Sequence, residues 1–501
     1  MRKLFISTTL ALAAFIPASA QWNLPYVRPT NYDFSQMWSP ALLIGLKEDP
    51  NFLRDEMVRG WTYYKATFQL SNGLINHRRK ENGSVIGANE AVSEGQGYGM
   101  LLAVLMNDQA TFNKIFEAAN QFMWRDDHKS YFIWNWPANA QGSATDADLD
   151  VGMALVFADE LQKKKLWQPY SKSGITYNTR AMDVIRSIRS HMTSQDYLLP
   201  GDNWGGDALN NLNPSYFATA NLKVFNAYQS EVDFAPVIAT CYAVLKKASS
   251  QYQKGQAPDW ITKDGNRGAK SNNMLDDGIR APYRIGLDAL WFKDPTAIEF
   301  CRNSKNTLSS WDNADSRFVL NQMGLYNSDG TLIVNTSALD HIAMWATAVL
   351  ASGDKAYSQK VLGRDLVLRL VGDKITGGFG STQLGEIDYY YKQSLGLLGF
   401  AAFTGQFPNI LADMQGNVVP TAITFSASHS KRTSAEGLTG YTRYGSLLFG
   451  ILPNSSHTQI QVGASSATLF FSADGRRSGK MLLNAGHSEE LESHDGTYLS
   501  R

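Results

Sequence analysis

Cysteine is scarce in this sequence, which contains only Cys241 and Cys301 among 501 residues. Two cysteines cannot form a zinc site unless histidines lie beside them. The two could pair in an oxidising compartment, but both lie in apolar segments with a helical pattern. A free buried cysteine behaves as a small hydrophobic residue, so we expect both to be unpaired.

Net charge is also lacking, because 46 Lys and Arg balance 46 Asp and Glu. No overall field therefore favours nucleic acid, an anionic membrane or a polyanionic substrate, and a neutral partner fits best. Aromatic residues, by contrast, make up 12% of the chain. They either pack in the core or line a groove whose flat apolar faces suit stacking on sugar rings.

Long apolar runs are confined to the amino terminus. A basic start, Met1–Lys3, precedes an apolar run over 4–16, and Ala18–Ala20 has the small-x-small pattern that signal peptidase recognises. The run is shorter than the roughly 20 residues that span a membrane. We therefore predict a signal peptide over 1–20, rather than an anchor or a buried helix, and a secreted protein that is extracellular, cell-surface or periplasmic.

Helical periodicity dominates from residue 50 to 405. Segments such as 149–161 and 338–351 are apolar on nearly every side, which is typical of buried helices, whereas 112–122 and 181–192 are amphipathic. The apolar segments begin at six places roughly sixty residues apart, each after a polar loop. The six starts lie near Glu94, Asp146, Asn213, Asp277, Ala338 and Ile387. Six inner and outer pairs predict an all-α (α/α)6 barrel with carboxylates at one mouth.

Glu94 stands near the head of segment 93–100, SEGQGYGM, which holds three glycines in five residues. Each glycine weakens a helix by about 1 kcal/mol relative to alanine, so a ligand or a neighbouring backbone should approach closely. A glutamate in such a place could lie in a low-polarity pocket with a raised pKa, as a general acid requires. Tight helix packing is the alternative interpretation.

Three aspartates alternate in segment 143–150, SATDADLD. On a helix Asp146 and Asp150 share a face while Asp148 points elsewhere. An aspartate at a helix start is usually an N-cap, and this is the alternative interpretation of both Asp146 and Asp277. Calcium is a weaker candidate, because the segment lacks the glycine and the distal glutamate of an EF-hand.

The third motif is segment 276–284, DDGIRAPYR, which places Arg280 one turn after Asp277. The guanidinium would lower the pKa of that carboxyl group and keep it ionised, which suits a general base. A structural Asp–Arg pair is the alternative. Asp276 adds a second carboxylate beside the first, and such a neighbour can raise the pKa of one of the two.

These three motifs, in this order and at these separations, resemble glycoside hydrolase family 8. So do WTYYKATFQLSNGLI at 61–75, NPSYF at 213–217 and YYKQSLGLLGFAAFTGQFPN at 390–409. The resemblance extends over about residues 50–410. It implies an (α/α)6 barrel, in agreement with the six helix pairs, and we expect a catalytic domain over 21–415.

The resemblance implies a role for each matching residue. Glu94 falls on the family's proton donor and Asp277 on its usual base, with Arg280 beside the base. Asp146 matches the aspartate that holds the sugar at the cleavage point, and Tyr216 matches a tyrosine close to the attacking water. The aromatic residues that the resemblance places along the glucan chain are Trp134, Trp204, Tyr389 and Tyr390.

Position 276 departs from the family pattern, in which this residue is usually apolar or aromatic. The departure leaves the base to be chosen between Asp277 and Asp276. Some members lack the aspartate base and use a glutamate elsewhere. The presence of Asp277 argues against that chitosan-cleaving subgroup.

The activity implied by the resemblance is that of an inverting endo-β-1,4-glucanase, acting by single displacement without a metal or organic cofactor. Its two carboxyl groups should lie about 6.5–9.5 Å apart. Segment 143–150 is similar to the cellulase and lichenase members, whereas xylan-cleaving members carry a sequence resembling PAPDGEE. We expect a monomer that binds β-glucan and neither nucleic acid nor the membrane interior.

Three other interpretations stay open at this point. The first is an endo-β-1,4-xylanase of the same family. The second is a polysaccharide lyase, which would need basic residues to neutralise uronic acids, and the balanced charge gives this little support. The third is a non-catalytic polysaccharide-binding cell-wall protein, in which the aromatics remain but the acids are structural.

Residues 416–501 differ in character, since they are rich in Ser, Thr and Gly. Residues 458–462 alternate as in a strand, and Asp474-Gly475 and Asp495-Gly496 are turn signals. We predict a small β-rich domain or tail. It is similar to the β-sandwich sorting domains that direct secretion across a bacterial outer membrane.

Overall fold

The computed structural model describes residues 52–415, apart from 127–128, 138–141, 204, 311–318, 335–337, 355–356, 359–360, 362–363 and 373–375, together with eight strands between 424 and 500. The predicted signal peptide and Trp204 lie outside the described residues. The boundary predicted at 415 stays a prediction.

Twelve helices of the described chain alternate between an outer and an inner layer. The outer helices are α1 (Phe52–Phe68), α3 (Gln109–Phe122), α5 (Tyr177–His191), α7 (Ala235–Lys247), α9 (Pro295–Ser309) and α11 (Arg364–Val371). The inner helices are α2 (Ser93–Leu105), α4 (Thr145–Lys163), α6 (Thr219–Tyr228), α8 (Ala281–Phe292), α10 (Leu339–Ala351) and α12 (Tyr390–Phe403). A short helix, Ser249–Gln253, follows α7, and α13 (Ile410–Gln415) follows α12.

The inner helices form a closed ring. Each packs against the next along the chain, and α12 returns to pack against α2 and α1. Nearly every residue of α2, α4, α10 and α12 is buried, as expected for helices that are apolar all round. The predicted all-α (α/α)6 barrel is therefore confirmed.

The two ends of the ring differ in the length of their connections. Short turns, 106–108 and 293–294, lead from α2 to α3 and from α8 to α9, whereas 69–92, 192–218 and 248–280 lead into inner helices. The loops that lead into inner helices are here termed entry loops, and they carry short two-stranded antiparallel sheets. The strand pairs are β1 (Arg79–Glu81) with β2 (Ser84–Ile86), β3 (Ala91–Val92) with β6 (Asn135–Trp136), β4 (Trp124–Arg125) with β5 (Tyr131–Phe132), β7 (Thr193–Ser194) with β8 (Tyr197–Leu198), and β9 (Leu325–Tyr326) with β10 (Leu332–Val334). The amino ends of the inner helices therefore open into a mouth built from long loops.

The carboxy-terminal strands confirm the predicted β-rich segment. They are β11 (Thr424–Phe425), β12 (Tyr441–Tyr444), β13 (Leu447–Gly450), β14 (His457–Gln461), β15 (Ala467–Ala473), β16 (Arg477–Leu483), β17 (Ser488–His494) and β18 (Thr497–Ser500). An antiparallel sheet has the order β11-β14-β17-β18, and β12 pairs with β13 and β15 with β16.

Two other expectations concern the described residues alone. Cys241 and Cys301 are free and buried, which confirms that they are unpaired. Among the described helices, none combines the length and the apolar character that a membrane crossing needs.

The glycines of SEGQGYGM allow α2 to pack closely. A Cβ on Gly97 would lie 2.9 Å from the Asp150 Cβ and 3.2 Å from the Ala147 carbonyl oxygen of α4, and one on Gly99 would lie 2.8 Å from Ile75. A Cβ on Gly95 would lie no closer than 3.5 Å to its nearest neighbour, Tyr390. Of the two reasons considered for these glycines, helix packing accounts for Gly97.

Gly97→Ala tests this packing against a matched change in the same helix, Gly95→Ala. Both substitutions gain about 1 kcal/mol of helix propensity, but only the one at 97 overpacks the interface with α4, which costs about 1–3 kcal/mol. Urea unfolding should therefore show Gly97→Ala to be the less stable of the two variants. Equal stability would contradict the packing explanation.

Candidate active site

Three carboxylates from distant parts of the chain converge on one guanidinium. Arg280 Nη1 donates to Glu94 Oε2 at 2.7 Å and to Asp146 Oδ2 at 2.6 Å, and Nη2 donates to Asp277 Oδ1 at 2.7 Å. Nη2 also donates to the Ser215 hydroxyl at 2.9 Å. Arg280 is only 2% exposed, so its charge acts in a medium that screens it weakly.

The inner helices place these acids at the mouth. Glu94 is the second residue of α2, and Asp146 is the second residue of α4. Asp277 immediately precedes a 3₁₀ turn, Gly278–Arg280, which leads directly into α8. The three side chains thus meet because three inner helices begin side by side.

Neither aspartate makes a side-chain hydrogen bond from an N-cap position. Asp277 occupies the N-cap position of the 3₁₀ turn but makes no capping bond, and Asp146 lies inside α4, where its Oδ1 accepts from Ala147 N at 3.0 Å. The N-cap of α4 is Ala144, without a side-chain hydrogen bond. The outer helices differ, since Asp108 caps α3 and Asp294 caps α9. Side-chain capping therefore does not explain Asp277, whereas Asp146 satisfies one first-turn N–H group without being the N-cap.

Glu94 has the environment of a carboxyl group that stays protonated near neutrality. Burial raises its pKa to about 7, and the charges of Asp146 and Asp277 act in the same direction. Arg280 opposes the rise, as does Tyr390, whose hydroxyl donates to Glu94 Oε1 at 2.7 Å. Its side chain keeps 18% exposure, so the group still reaches the mouth.

Asp277 departs from the expectation that Arg280 would lower its pKa. The guanidinium does act in that direction, but burial outweighs it, and the pKa of Asp277 is raised. Asp146 and Asp276 add to the rise. The side chain is nevertheless the most open of the three acids, with 35% exposure against 2% for Asp146.

Asp276 and Asp277 face different surroundings. Asp277 contacts Arg280, whereas Asp276 is exposed and its carbonyl oxygen accepts a hydrogen bond of 2.6 Å from the Tyr391 hydroxyl. The structure therefore joins Asp277 to Glu94 through Arg280. Tyr391 was missed from the sequence, although its place in the tyrosine run 389–391 at the start of α12 was a usable signal.

The predicted aromatic residues lie in different relations to the acids. The Tyr216 ring lies 5.3 Å from the Arg280 guanidinium carbon. Trp134 is 46% exposed, and its carbonyl oxygen accepts a hydrogen bond of 3.0 Å from Ser93 N, next to Glu94. Tyr390 touches Glu94, whereas Tyr389 is only half-buried beside it, with ring centres 6.1 Å apart.

A second buried ion pair lies at the next turn of the same helices. Arg284 donates through both terminal nitrogens to Asp150, with Nη2 to Oδ2 at 2.7 Å, and Asn221 Nδ2 donates to Asp150 Oδ1 at 3.1 Å. This pair ties α8 to α4 and α6. Asp150 therefore has a structural partner in the barrel, apart from the three acids on Arg280.

Asp259 is a further acid that sequence reasoning missed. It is buried, and burial raises its pKa to about 7. Its Oδ1 accepts hydrogen bonds from the backbone N–H groups of Leu275 and Gly278, on either side of Asp276 and Asp277. No local motif marks it, because its partners lie 16 and 19 positions away.

Within the described ranges, no group of three or more His, Cys, Asp or Glu side chains could hold a metal ion. The place between Glu94, Asp146 and Asp277 is taken by the Arg280 guanidinium.

Two carboxyl groups lie at the mouth of the (α/α)6 barrel, one protonated near neutrality and one more open to solvent. Such a pair of carboxyl groups in different environments is typical of a glycoside hydrolase. Residues 31–402 match the family model described as Glycosyl hydrolases family 8. The chain therefore belongs to this family and is a glycoside hydrolase.

Named relatives agree with this assignment. The chain is 30% identical to Endoglucanase A of Acetivibrio thermocellus over 373 residues, which is 72% of this chain and 71% of that one. Its fold is similar to that of a β-1,3-1,4-glucanase from Paenibacillus sp. X4, with a TM-score of 0.56, 21% identity and coverage of 72% and 93%. A reducing-end-xylose releasing exo-oligoxylanase shares the fold, with a TM-score of 0.55, 19% identity and coverage of 73% and 96%.

Arg280→Met tests the electrostatic role of the guanidinium. Without it the folded-state pKa values of Glu94 and Asp277 rise further, so stability is lost as pH rises through them. Removing one partner of a buried ion pair costs about 3–5 kcal/mol. Urea unfolding should show a loss of that size at pH 8 and a smaller loss at pH 5.

Arg186→Met is the matched control, because Arg186 pairs with Glu231 at the exposed surface. It should cost less than about 1 kcal/mol and show no such pH trend. An Arg280→Met variant with the same small loss at both pH values would contradict the analysis.

Proposed function

We propose that this protein is a secreted inverting endo-β-1,4-glucanase that hydrolyses cellulose or mixed-linkage β-glucan by single displacement. Glu94 is the general acid and Asp277 the general base in this proposal. The observation that carries it is the meeting of these two carboxyl groups on Arg280, with different hydrogen-bond partners and different exposure.

Glu94 suits the acid role because its pKa of about 7 leaves it protonated in mildly acidic and neutral solution. The protonated group gives its proton to the glycosidic oxygen as the bond to the anomeric carbon breaks. The carboxylate that results accepts hydrogen bonds from Arg280 and Tyr390. These donors stabilise charge that develops during the reaction, which is where stabilisation accelerates it.

Asp277 suits the base role because its side chain is both paired with a cation and open to water. Contact with Arg280 favours the ionised form of Asp277 and so limits the rise in pKa that burial causes. Asp277 then takes the proton from the water that attacks the opposite face of the sugar. Asp276 is the less suitable base, since Arg280 contacts Asp277 and the Asp276 backbone is held by Tyr391.

The separation of acid and base has an upper limit. Glu94 Oε2 and Asp277 Oδ1 each lie 2.7 Å from a different terminal nitrogen of Arg280. Those nitrogens share one carbon through bonds of about 1.33 Å, so the two oxygens lie at most roughly 8 Å apart. An upper limit of roughly 8 Å allows part of the range of about 6.5–9.5 Å that separates the carboxyl groups of inverting enzymes, and it also allows the shorter separation of retaining enzymes. The anomeric configuration of the first product therefore decides between the two mechanisms.

Two other residues complete the cleavage point. Asp146, the second residue of α4 and a partner of Arg280, accepts hydrogen bonds from the hydroxyl groups of the sugar in this proposal. The Tyr216 ring lies 5.3 Å from the Arg280 guanidinium carbon, and we infer that the attacking water binds beside this tyrosine. Trp134 offers an exposed flat surface beside Glu94 on which a sugar unit can stack, and Tyr389 offers a second surface near Tyr390.

Glucan is the proposed substrate because the chain is 30% identical to Endoglucanase A of Acetivibrio thermocellus, and because segment 143–150 resembles the cellulase and lichenase members. An endo-β-1,4-xylanase is the second candidate, because the reducing end xylose-releasing exo-oligoxylanase of Halalkalibacterium halodurans is 25% identical over 221 residues. We further propose export through the signal peptide at 1–20, action as a monomer outside the cytoplasm, and a sorting role for residues 416–501.

The decisive experiment measures reducing-sugar release from carboxymethyl-cellulose, mixed-linkage glucan, xylan and chitosan. We expect the two glucans to be cleaved fastest and viscosity to fall early, as internal cleavage requires. Glu94→Gln and Asp277→Asn should each lower kcat by about 10²–10⁴-fold, the usual contribution of a general acid or base. Proton NMR of fresh hydrolysate should show the α-anomer first.

Each alternative has its own signature in this experiment. Faster cleavage of xylan than of the two glucans would make xylan the substrate. Appearance of the β-anomer first would overturn the inverting mechanism. A wild-type protein that binds glucan but releases no sugar would be a binding protein. Asp276→Asn is the matched control for Asp277→Asn and should retain most of the activity.

The pH profile of kcat/KM tests Glu94 separately. Because the acid must be protonated, activity should fall as pH rises through about 7. The Tyr390 hydroxyl favours the ionised form of Glu94, so Tyr390→Phe should raise the pKa of Glu94 and move the alkaline limb to higher pH. Tyr389→Phe, a change in the neighbouring residue, should leave that limb in place; a limb unmoved in Tyr390→Phe would contradict the assignment.

A further inference from the structure

We propose that Asp259 is a positioning residue for the general base: its carboxylate fixes the segment 275–278, here termed the base loop, and so aims Asp277 at the attacking water. The inference rests on the proposed role of Asp277 as base. Asp259 itself is 5% exposed and touches neither Glu94 nor the Arg280 guanidinium in the contacts described above.

One oxygen of Asp259 holds both ends of the base loop. Asp259 Oδ1 accepts hydrogen bonds of 2.8 Å from Leu275 N and 2.7 Å from Gly278 N. Asp276 and Asp277 project from the backbone between these two points. Because both N–H groups donate to a single atom, a shift of either end of the loop stretches one of these two hydrogen bonds.

The base loop also fits closely against the segment that carries Asp259. A Cβ on Gly278 would lie 2.5 Å from the Ala257 carbonyl oxygen and 3.1 Å from Asp259 Oδ1. Glycine at 278 therefore lets the backbone approach the carboxylate. The Tyr391 hydroxyl donates to the Asp276 carbonyl oxygen, so two residues from different parts of the chain hold the loop.

Asp259 is in turn fixed by its own backbone. Its N–H donates to the Asn273 carbonyl oxygen at 2.7 Å, and Ile261 exchanges backbone hydrogen bonds with Leu212. The latter contact joins this segment to the one that leads to Ser215, a hydrogen-bond partner of Arg280. The anchor and the site thus share one rigid backbone framework.

A misplacement of about 1 Å at a reacting group can cost about 100-fold in rate. Asp259→Leu keeps the branched outline of the side chain but removes the acceptor, whereas Asp259→Asn keeps an oxygen that can accept both N–H groups. We therefore expect Asp259→Leu to lose about 100-fold in kcat on carboxymethyl-cellulose with little change in KM. Asp259→Asn should retain most of the activity.

A second substrate, β-cellobiosyl fluoride, separates the base from the acid. Water forms the new bond to the anomeric carbon, its proton passes to Asp277, and the C–F bond breaks to release fluoride, which needs no proton from Glu94. Glu94→Gln should therefore recover activity on the fluoride, while Asp277→Asn and Asp259→Leu should stay impaired on both substrates.

Two further variants address stability. Asp108→Leu is the control for loss of a structural acid, because Asp108 caps α3 by accepting from Thr111 N and lies among the contacts of Lys65 and Trp61. Assayed below its unfolding temperature, it should keep wild-type kcat. If Asp259→Leu does not fold, Tyr391→Phe loosens the same loop from the other side and should show a smaller loss of kcat on both substrates.

The outcomes distinguish this inference from the function it rests on. Wild-type kcat in Asp259→Leu, recovery of that variant on the fluoride, or equal damage in Asp259→Asn would overturn the positioning role. If Asp259→Leu does not fold, wild-type kcat in Tyr391→Phe would do the same. Full activity of Asp277→Asn would instead overturn the proposed base.

Discussion

The contact of three carboxyl groups with the Arg280 guanidinium is the interaction on which both the site and the surrounding ring of inner helices depend. Three buried or half-buried carboxyl groups would repel one another without a cation between them, and the energy of that repulsion is large where water is scarce. One buried arginine offers two nitrogens that donate to all three. The same contacts hold the starts of α2, α4 and α8 together, so the charge balance of the mouth and the closure of the ring are one arrangement.

The sequence predicted the barrel because its inner helices are apolar on every side, and that pattern is local. Predicted starts at Glu94 and Asp146 agree with α2 and α4. Near Asn213 and Asp277 the chain first makes 3₁₀ turns, and the helices begin at Thr219 and Ala281. The short strand pairs of the entry loops were not predicted, since strands of two or three residues are too short for a periodic pattern.

The sequence predicted which acids form the site, but only part of their contacts and pKa shifts. Local motifs identify Glu94, Asp146 and Asp277, but the contact between Arg280 and Glu94 joins positions 186 residues apart. Burial at that meeting point decides the direction in which the pKa of Asp277 shifts, and burial cannot be read from a segment of nine residues. Asp259 was missed because its partners are the backbone N–H groups of distant residues, which no sequence motif marks.

The return of α12 to α1 and α2 has a consequence for the order of folding. The first and last inner helices are neighbours although some three hundred residues separate them. Until residue 403 has left the ribosome, α2 lacks one neighbour and its apolar flank has no cover. Such non-local closure is slow and leaves apolar surface open to aggregation, so the core of the barrel should be complete only after residue 403 has been made.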